Sequence, residues 1–421
     1  MSFSFNTALS GLNASSNALN VVGNNIANAN TIGFRSSTAT FADLYANRYG
    51  IRMNGAGNGI QVGNGVQVGA MHTNFEQGNL SESGSPLHSA IQGNGFFVVR
   101  NSDGSSGYTR AGDFTVNNQG FLVASTGGMV QGYQAVNGTI PSGATLSGLQ
   151  IPIGQTMAPK ATTEGTFHMN LNSNSVTGAV FHSTMQVNDS LGTKRTMDMT
   201  YTRQADGSFL MSATIDGNAA QTSVDGGAPS AAPVSYTFDS SGNLLTPTTI
   251  SVIPDATQLG GAVLPSIDIK LRATNADGTP GAFNITSYAT PSAVSSTTQD
   301  GYEPGEVTGA AIDQNGNIFG VFSNGQSLIV GQYALATFPS DAGLVRTGGN
   351  MFAESAGSGQ ATIGNPGSGG RGFIAGGYLE QSNVDITNEF VDLIEAQRGF
   401  QANSRVITTL NQTFQDLLQI V

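Results

Sequence analysis

Ile386, Leu393, Phe400, Ile407, Phe414 and Val421 recur at every seventh position without a miss. Ala396, Leu410 and Leu417 stand three residues after three of them, and Phe390 and Leu418 flank the same stripe. This is the heptad seam of one long helix. Its other face carries Asp392, Glu395, Arg398, Asn403 and Arg405. A helix of about 38 residues spans roughly 57 Å, too long and too thin for an ordinary core helix. Burying each seam residue would contribute about 1.5–3 kcal/mol, so such a helix needs a partner. The other end of the chain offers one. Phe5, Leu12, Leu19 and Ile26 also recur every seven residues, with Ala8, Ser15 and Val22 three places on and Leu9 beside them. The first charged side chain is Arg35. The plainer alternative packs both helices on one globular core, but six heptads exceed what one domain face usually uses.

Between these ends the composition changes. The 421 residues suffice for two or three domains. Charged residues make up only 10%, and 57 are Gly. Ser, Thr, Asn and Gly dominate, a β-rich and turn-rich composition. The net charge of −12 and just three lysines (Lys160, Lys194, Lys270) leave no basic patch for phosphates. Nucleic-acid binding and docking on anionic lipid are therefore not expected. There is no cysteine for disulfide or thiol chemistry. No apolar run reaches the length of a membrane span, so no membrane insertion is expected. No cleavable signal peptide is legible; an exported chain of this kind leaves by a route that reads none.

In chain order, residues 1 to about 30 read as the first helix, ending in the Asn-rich run up to Gly33. Phe34 and Phe41 look like anchors in an extended segment. The Gly/Asn-rich stretch 50–69 lacks the Lys-Ser/Thr of a phosphate loop. It reads instead as turns of a short hairpin in which Ile60, Val62, Val66 and Val68 alternate. Phe96–Val99, then Phe114 and Val116, then Phe121–Val123 are short strands of a β domain. Met197, Met199 and Tyr201 alternate, Asp206-Gly207 turns the chain, and Phe209, Met211, Ala213 and Ile215 alternate back. Val234–Phe238 and Ile267–Leu271 are further strands of this second β unit. Ile318–Phe322, Leu328–Val330 and Tyr333–Thr337 rebuild a β pattern, and Gly364–Gly372 reads as a flexible connection into the last helix. The fold class expected is mainly β with α-helical termini.

No catalytic constellation emerges. His72, His88, His168 and His182 are scattered without metal-ligand spacing, and no nucleophile elbow occurs. The loops Asp239–Asn243 and Asp313–Asn317 lack the Gly and Glu positions of a calcium loop and read as hairpin turns. The methionine pairs read as core filler. A glycosidase-type carboxylate pair brought together in space remains open from sequence. Neither a catalytic residue, a cofactor nor a metal is assigned.

Certain residues are recognisable as a set. Asn24-Asn25-Ile26-Ala27-Asn28-Ala29-Asn30-Thr31-Ile32-Gly33-Phe34-Arg35 resembles the N-terminal signature of the bacterial flagellar rod and hook axial proteins. Leu379–Asp385, with Ser382-Asn383-Val384, and Glu395–Asn403 are similar to the closing motif of that family. Gly93–Phe97 and Tyr108–Phe114 resemble its inner β domain. The run Asp300–Gly305 and the long middle segment resemble hook members rather than the shorter rod members; residues 150–298 carry no motif of their own. The resemblance implies a structural protein rather than an enzyme. Terminal helices 1–30 and 384–421 would pair as a channel-lining coiled-coil domain, joined by 31–70 and 376–383. A discontinuous inner β domain would comprise 71–147 and 299–375, with an outer β domain, 148–298, inserted in it. It further implies a homo-oligomeric helical tube, curved and flexible, acting as a universal joint. The distal rod protein, hook cap protein and hook-filament junction protein would be its neighbours, with delivery by the flagellar type III export apparatus. Helices without a packed face fray, so the ends are expected to be largely disordered in a monomer and to fold on assembly. The competing readings are a distal rod protein and a secreted β-rich adhesin or glycan-active protein.

Overall fold

The computed structural model describes residues 2–44, 47–49, 60–136, 138–152, 154, 156–255, 261–274 and 280–420. Helix α1 runs from Ser2 to Ala27 and helix α2 from Ile386 to Ile420; nearly everything between is strand and turn. Two compact units form. One comprises Met1–Pro152, Gly309–Gly320 and Ser327–Val421; the other comprises Ile153–Thr308 and Val321–Gln326.

α1 ends where the sequence loses helix-formers. Asn28 Nδ2 donates back to the Asn24 carbonyl at 2.9 Å, and Thr31 Oγ1 donates to Asn28 Oδ1 at 3.1 Å. Gly33, at φ +67°, then turns the chain. At α2 the Asp385 carboxylate caps the N-terminus, accepting from Thr387 N at 2.9 Å. The strands Ser37–Asp43 and Val66–Thr73 pair antiparallel, with a bulge at Thr40/Phe41. The resulting hairpin packs on α1. Strands Asn47–Tyr49 and Ile60–Val62 also pair, while residues 50–59 of the Gly/Asn-rich stretch lie outside the described residues. Phe34 is buried as expected; Phe41, expected to be an anchor, is 44% exposed. The bulge resets the strand's alternation beside it, and Phe41 stands at the edge of an open groove.

The helix-bearing unit centres on a sheet in which Ser327–Tyr333, Met129–Gln134, Phe96–Arg100, Ser106–Thr109, Met351–Ala353 and Val345–Gly348 lie side by side. Phe96–Val99 is buried on both faces. Phe96 and Val98 join Tyr108, Ala336 and Phe352 in one cluster. Phe97 meets Phe114 edge-on at 4.9 Å and Tyr333 at 5.5 Å on the other. Gly364–Gly372, expected to lead into the last helix, is instead a loop between strands. Phe373–Gly376 and Tyr378–Glu380 follow it and pair with Ser89–Gln92 and Leu80–Glu82. The glycines hid two short strands whose partners lie some 290 residues earlier.

The second unit carries two six-stranded sheets sharing one core. The hairpin 194–215 pairs in the register its alternation requires, Met197 opposite Ile215, Met199 opposite Ala213 and Tyr201 opposite Met211. All of these side chains are buried. Asp239 Oδ1 accepts from Ser241 N and Asn243 N, both at 2.8 Å, which fixes that loop as a turn. Asp300 ties two segments of the unit together, accepting from Lys160 Nζ at 2.8 Å and from Thr163 N and Glu164 N. Burial opposes its ionisation, yet these donors outweigh it and hold its carboxyl well below the usual carboxylate range.

Candidate assembly interface

α1 and α2 lie against each other, antiparallel and in step. A Cβ added to Gly11 would meet Asn403 at 2.9 Å, and one added to Gly399 would meet Ser15 Oγ at 3.2 Å. Asn25 Nδ2 donates to Glu389 Oε1 at 2.8 Å. The contact is made of small and polar residues, which lets the backbones approach closely. On α1, Ala8, Ala14, Val22 and Asn25 are buried; of the residues at every seventh place, Leu12, Leu19 and Ile26 are only half-buried and Phe5, with its neighbour Leu9, is exposed. On α2, Leu393, Phe400, Ile407 and Leu410 are half-buried, while Ile386 and Phe414 are exposed. The side chain of Leu417 and all of Val421 fall outside the described residues. The apolar stripe is thus partly spent on pairing and partly left free. Ile386, Phe390 and Ile394 form an exposed row at i, i+4 and i+8, each 45–50% accessible. With Gly11 against Asn403, Ser2 comes level with roughly Gln412. Phe414 and Leu418 therefore project beyond α1, and Leu418 is 78% exposed.

The recognisable motifs at the two ends converge on one joint at the foot of the helices. Arg35 Nη2 donates to Glu380 Oε1 at 2.7 Å, and Arg110 Nη1 approaches Glu380 Oε2 at 3.4 Å; all three side chains are buried. Gly78 N donates to the same carboxylate at 2.9 Å. Two cations share one anion here. Burial pushes Arg110 down to about 10, against the pull of Glu380 and with the repulsion of Arg35. Asn383 is a four-way clamp. Its Oδ1 accepts from Ser36 N at 2.7 Å, its Nδ2 donates to the carbonyls of Asn74 and Glu76, and its own N–H reaches the Phe34 carbonyl at 3.4 Å. Asn25 Oδ1 accepts from Ser37 N at 3.0 Å, and its Nδ2 reaches the Ser37 carbonyl. Gly33 donates its N–H to the Glu380 carbonyl at 2.8 Å and leaves no room for a side chain, since a Cβ would sit 2.5 Å from Ala111 N. Arg346 lies over the Phe34 ring at 5.1 Å and donates to the Arg35 carbonyl. Of the terminal motif residues, Ser382 and Val384 are half-buried in the segment leading to α2, where Ser382 Oγ accepts from Val384 N at 3.3 Å. The sequence reading missed Arg110, Glu380, Arg346 and also Asn350, whose Nδ2 donates to the Ile32 carbonyl at 2.8 Å, as members of this joint. Arg110 and Glu380 stood inside recognised motifs; for Asn350 and Arg346 no sequence signal existed.

Among the described residues no group of His, Asp and Glu could hold a metal, and no helix is long and apolar enough to cross a membrane.

Comparison with known proteins agrees along the chain. Family models match as follows: flagellar basal body rod protein over residues 5–35, the flagellar hook protein FlgE/F/G D1 domain over 90–157, the flagellar basal body protein FlaE D2 domain over 161–302, and the flagellar basal body rod FlgEFG protein C-terminal region over 375–420. The flagellar hook protein FlgE of Salmonella typhimurium is 34% identical over 99% of this chain and 100% of its own length. That of Escherichia coli K12 is 33% identical over 99% of both, and that of Borreliella burgdorferi 32% over 98% of both. The crystal structure of Helicobacter pylori flagellar hook protein FlgE2 shares the fold, with a TM-score of 0.51 at 17% identity over 72% of this chain and all of that one. Full-length identity above 30% and four matching family models together place the chain in the bacterial flagellar hook protein FlgE family, a structural component of the flagellar hook rather than an enzyme.

Proposed function

We propose that this chain self-assembles into the hook as a curved, flexible tube, a universal joint that passes torque from rod to filament and encloses the export channel. The observation that carries this reading is the half-spent helix pair. α1 and α2 bury only the small side of their seams against each other and leave Ile386, Phe390, Ile394, Phe414 and Leu418 exposed. Exposed apolar rows of this kind mark an interface, and contacts that do not close on themselves build a filament. In this reading the terminal helices line the channel, the β domain of 71–147 and 299–375 forms the wall, and the β domain of 148–298 forms the outer surface. Subunits leave the cell through the flagellar type III export apparatus without a cleaved signal and act outside it. The distal rod protein lies below, the hook cap protein guides growth, and the hook-filament junction protein follows.

Sedimentation and negative-stain electron microscopy of the full-length chain beside residues 31–383 test it. Tubes from the full chain and none from the shortened one are expected. Monomers from both under every condition would contradict it, and short straight tubes would speak for a distal-rod role.

A further inference from the structure

The groove between α1, α2 and the hairpin has a volume of about 520 Å³. Ala14, Ala18, Val22 and Ala396 give its lining an apolar part, while Glu389, buried, and Asp392 and Glu395, exposed, all of α2, give it an acidic one. No basic residue lines it, and α1 carries no charged side chain at all. The basic side chains of α2 are Arg398 and Arg405 alone, and both are exposed. At about 100° per residue the two arginines fall within about 20° of one another, on the flank that also carries Val391 and Ile394. Around the helix from the two arginines, Asp392 lies about 120–140° and Glu395 about 60–80°. Glu395 and Arg398 are three residues apart and within reach along the helix, yet neither arginine makes an ion pair among the described residues.

We propose that α2 carries both halves of a head-to-tail contact between copies of this chain: the partly acidic groove of one copy receives the arginine-bearing flank of the next. The proposal rests on the self-assembly reading above and adds to it the residues that set the register. The arginine flank is complementary to the groove in both respects, apolar through Val391 and Ile394 and cationic through Arg398 and Arg405. With the groove and the flank of each copy engaged by two different neighbours, the contact is heterologous and passes on from copy to copy. In a chain of net charge −12, copies repel except where opposite charges are presented. The arginines therefore choose the approach and the register, while the apolar part of the lining supplies most of the attraction.

Full-length variants test the pairing. R398E/R405E makes both flanks acidic, and D392R/E395R makes both basic. Each is expected to keep the parent's helical circular dichroism and to form no tubes at concentrations where the parent does. An equimolar mixture of the two, and a single chain bearing all four reversals, should assemble again. Assembly of either double variant at the parent's critical concentration would overturn the proposal. So would failure of both the mixture and the four-fold variant while all remain helical. If a reversal costs the helix itself, R398Q/R405Q decides: the critical concentration rises about twofold or more if the contact exists and is unchanged if it does not. Failure of the parent chain itself to form tubes would sink the self-assembly reading, and this proposal with it.

Discussion

The residue on which most converges is Glu380. Its carboxylate holds Arg35 and Arg110 and the Gly78 N–H, and its carbonyl holds Gly33. Arg35 Nε and Nη1 and Arg110 Nε have no hydrogen-bond partner among the described residues, so the anion is the main compensation for two buried cations. Removing one partner from a buried pair is far more costly than never having had it. Glu380→Gln should lower the stability of the helix-bearing unit by about 3–5 kcal/mol, read as a shift of its urea midpoint, with the second unit unmoved. Glu389 makes the opposite kind of claim. Burial raises its pKa from 4.5, with Asp392 and Asp385 adding to the rise and the Asn25 hydrogen bond opposing it. A carboxyl whose pKa is raised in the folded state binds protons more tightly there. Its contribution is therefore full below its ordinary pKa and is lost as pH rises through the raised one. Hydrogen exchange of α1 and α2 should quicken as pH climbs through that window once the intrinsic rate is divided out, and Glu389→Gln should flatten the dependence. Arg35 and Asn383 were legible as motif members, but their joint was not. The convergence of residues 35, 110 and 380 follows from strand pairing across the chain, which leaves no periodic trace.

At the scale of elements, the heptads announced two long helices and their mutual attraction. What they concealed was which side of each helix is used within one chain. The large residues at every seventh place from Phe5 to Ile26 and from Ile386 to Phe414 are those left half-buried or exposed, and the close contact runs along Gly11, Ser15, Gly399 and Asn403. Hydrophobic size signals the need for burial without saying whether the partner is in the same copy. Gly399→Leu should push the helices apart, because the new side chain must enter the space of Ser15. Faster amide exchange in α1 than in the parent would confirm it, and unchanged protection in both helices would count against the packing described. The alternating strands 194–203 and 209–215 were legible because one face is buried and the other is not, which writes the pattern directly into the sequence. The strands 373–376 and 378–380 were not, being short, glycine-flanked and paired with distant segments.

For the whole molecule, function lies in contacts between copies, and the two units are suited to different ones. The helix-bearing unit offers exposed apolar rows, which favour firm contacts. The second unit offers strand Ala293–Gln299, exposed along almost all its length and free of charge. Surfaces of Ser and Thr exchange neighbours at little cost, which a tube that bends as it rotates requires. Ser296→Leu with Thr298→Leu should stiffen or straighten the tube, visible as lowered curvature in micrographs and impaired swimming. Unchanged curvature would remove this account of flexibility. The most direct test of the central claim is a helical reconstruction by electron cryo-microscopy of the polymer formed by the full-length chain. A tube with α1 and α2 innermost around the channel, and residues 148–298 outermost, is the result this account predicts. Helices placed on the outer wall, or a chain that stays monomeric in every condition, would contradict it.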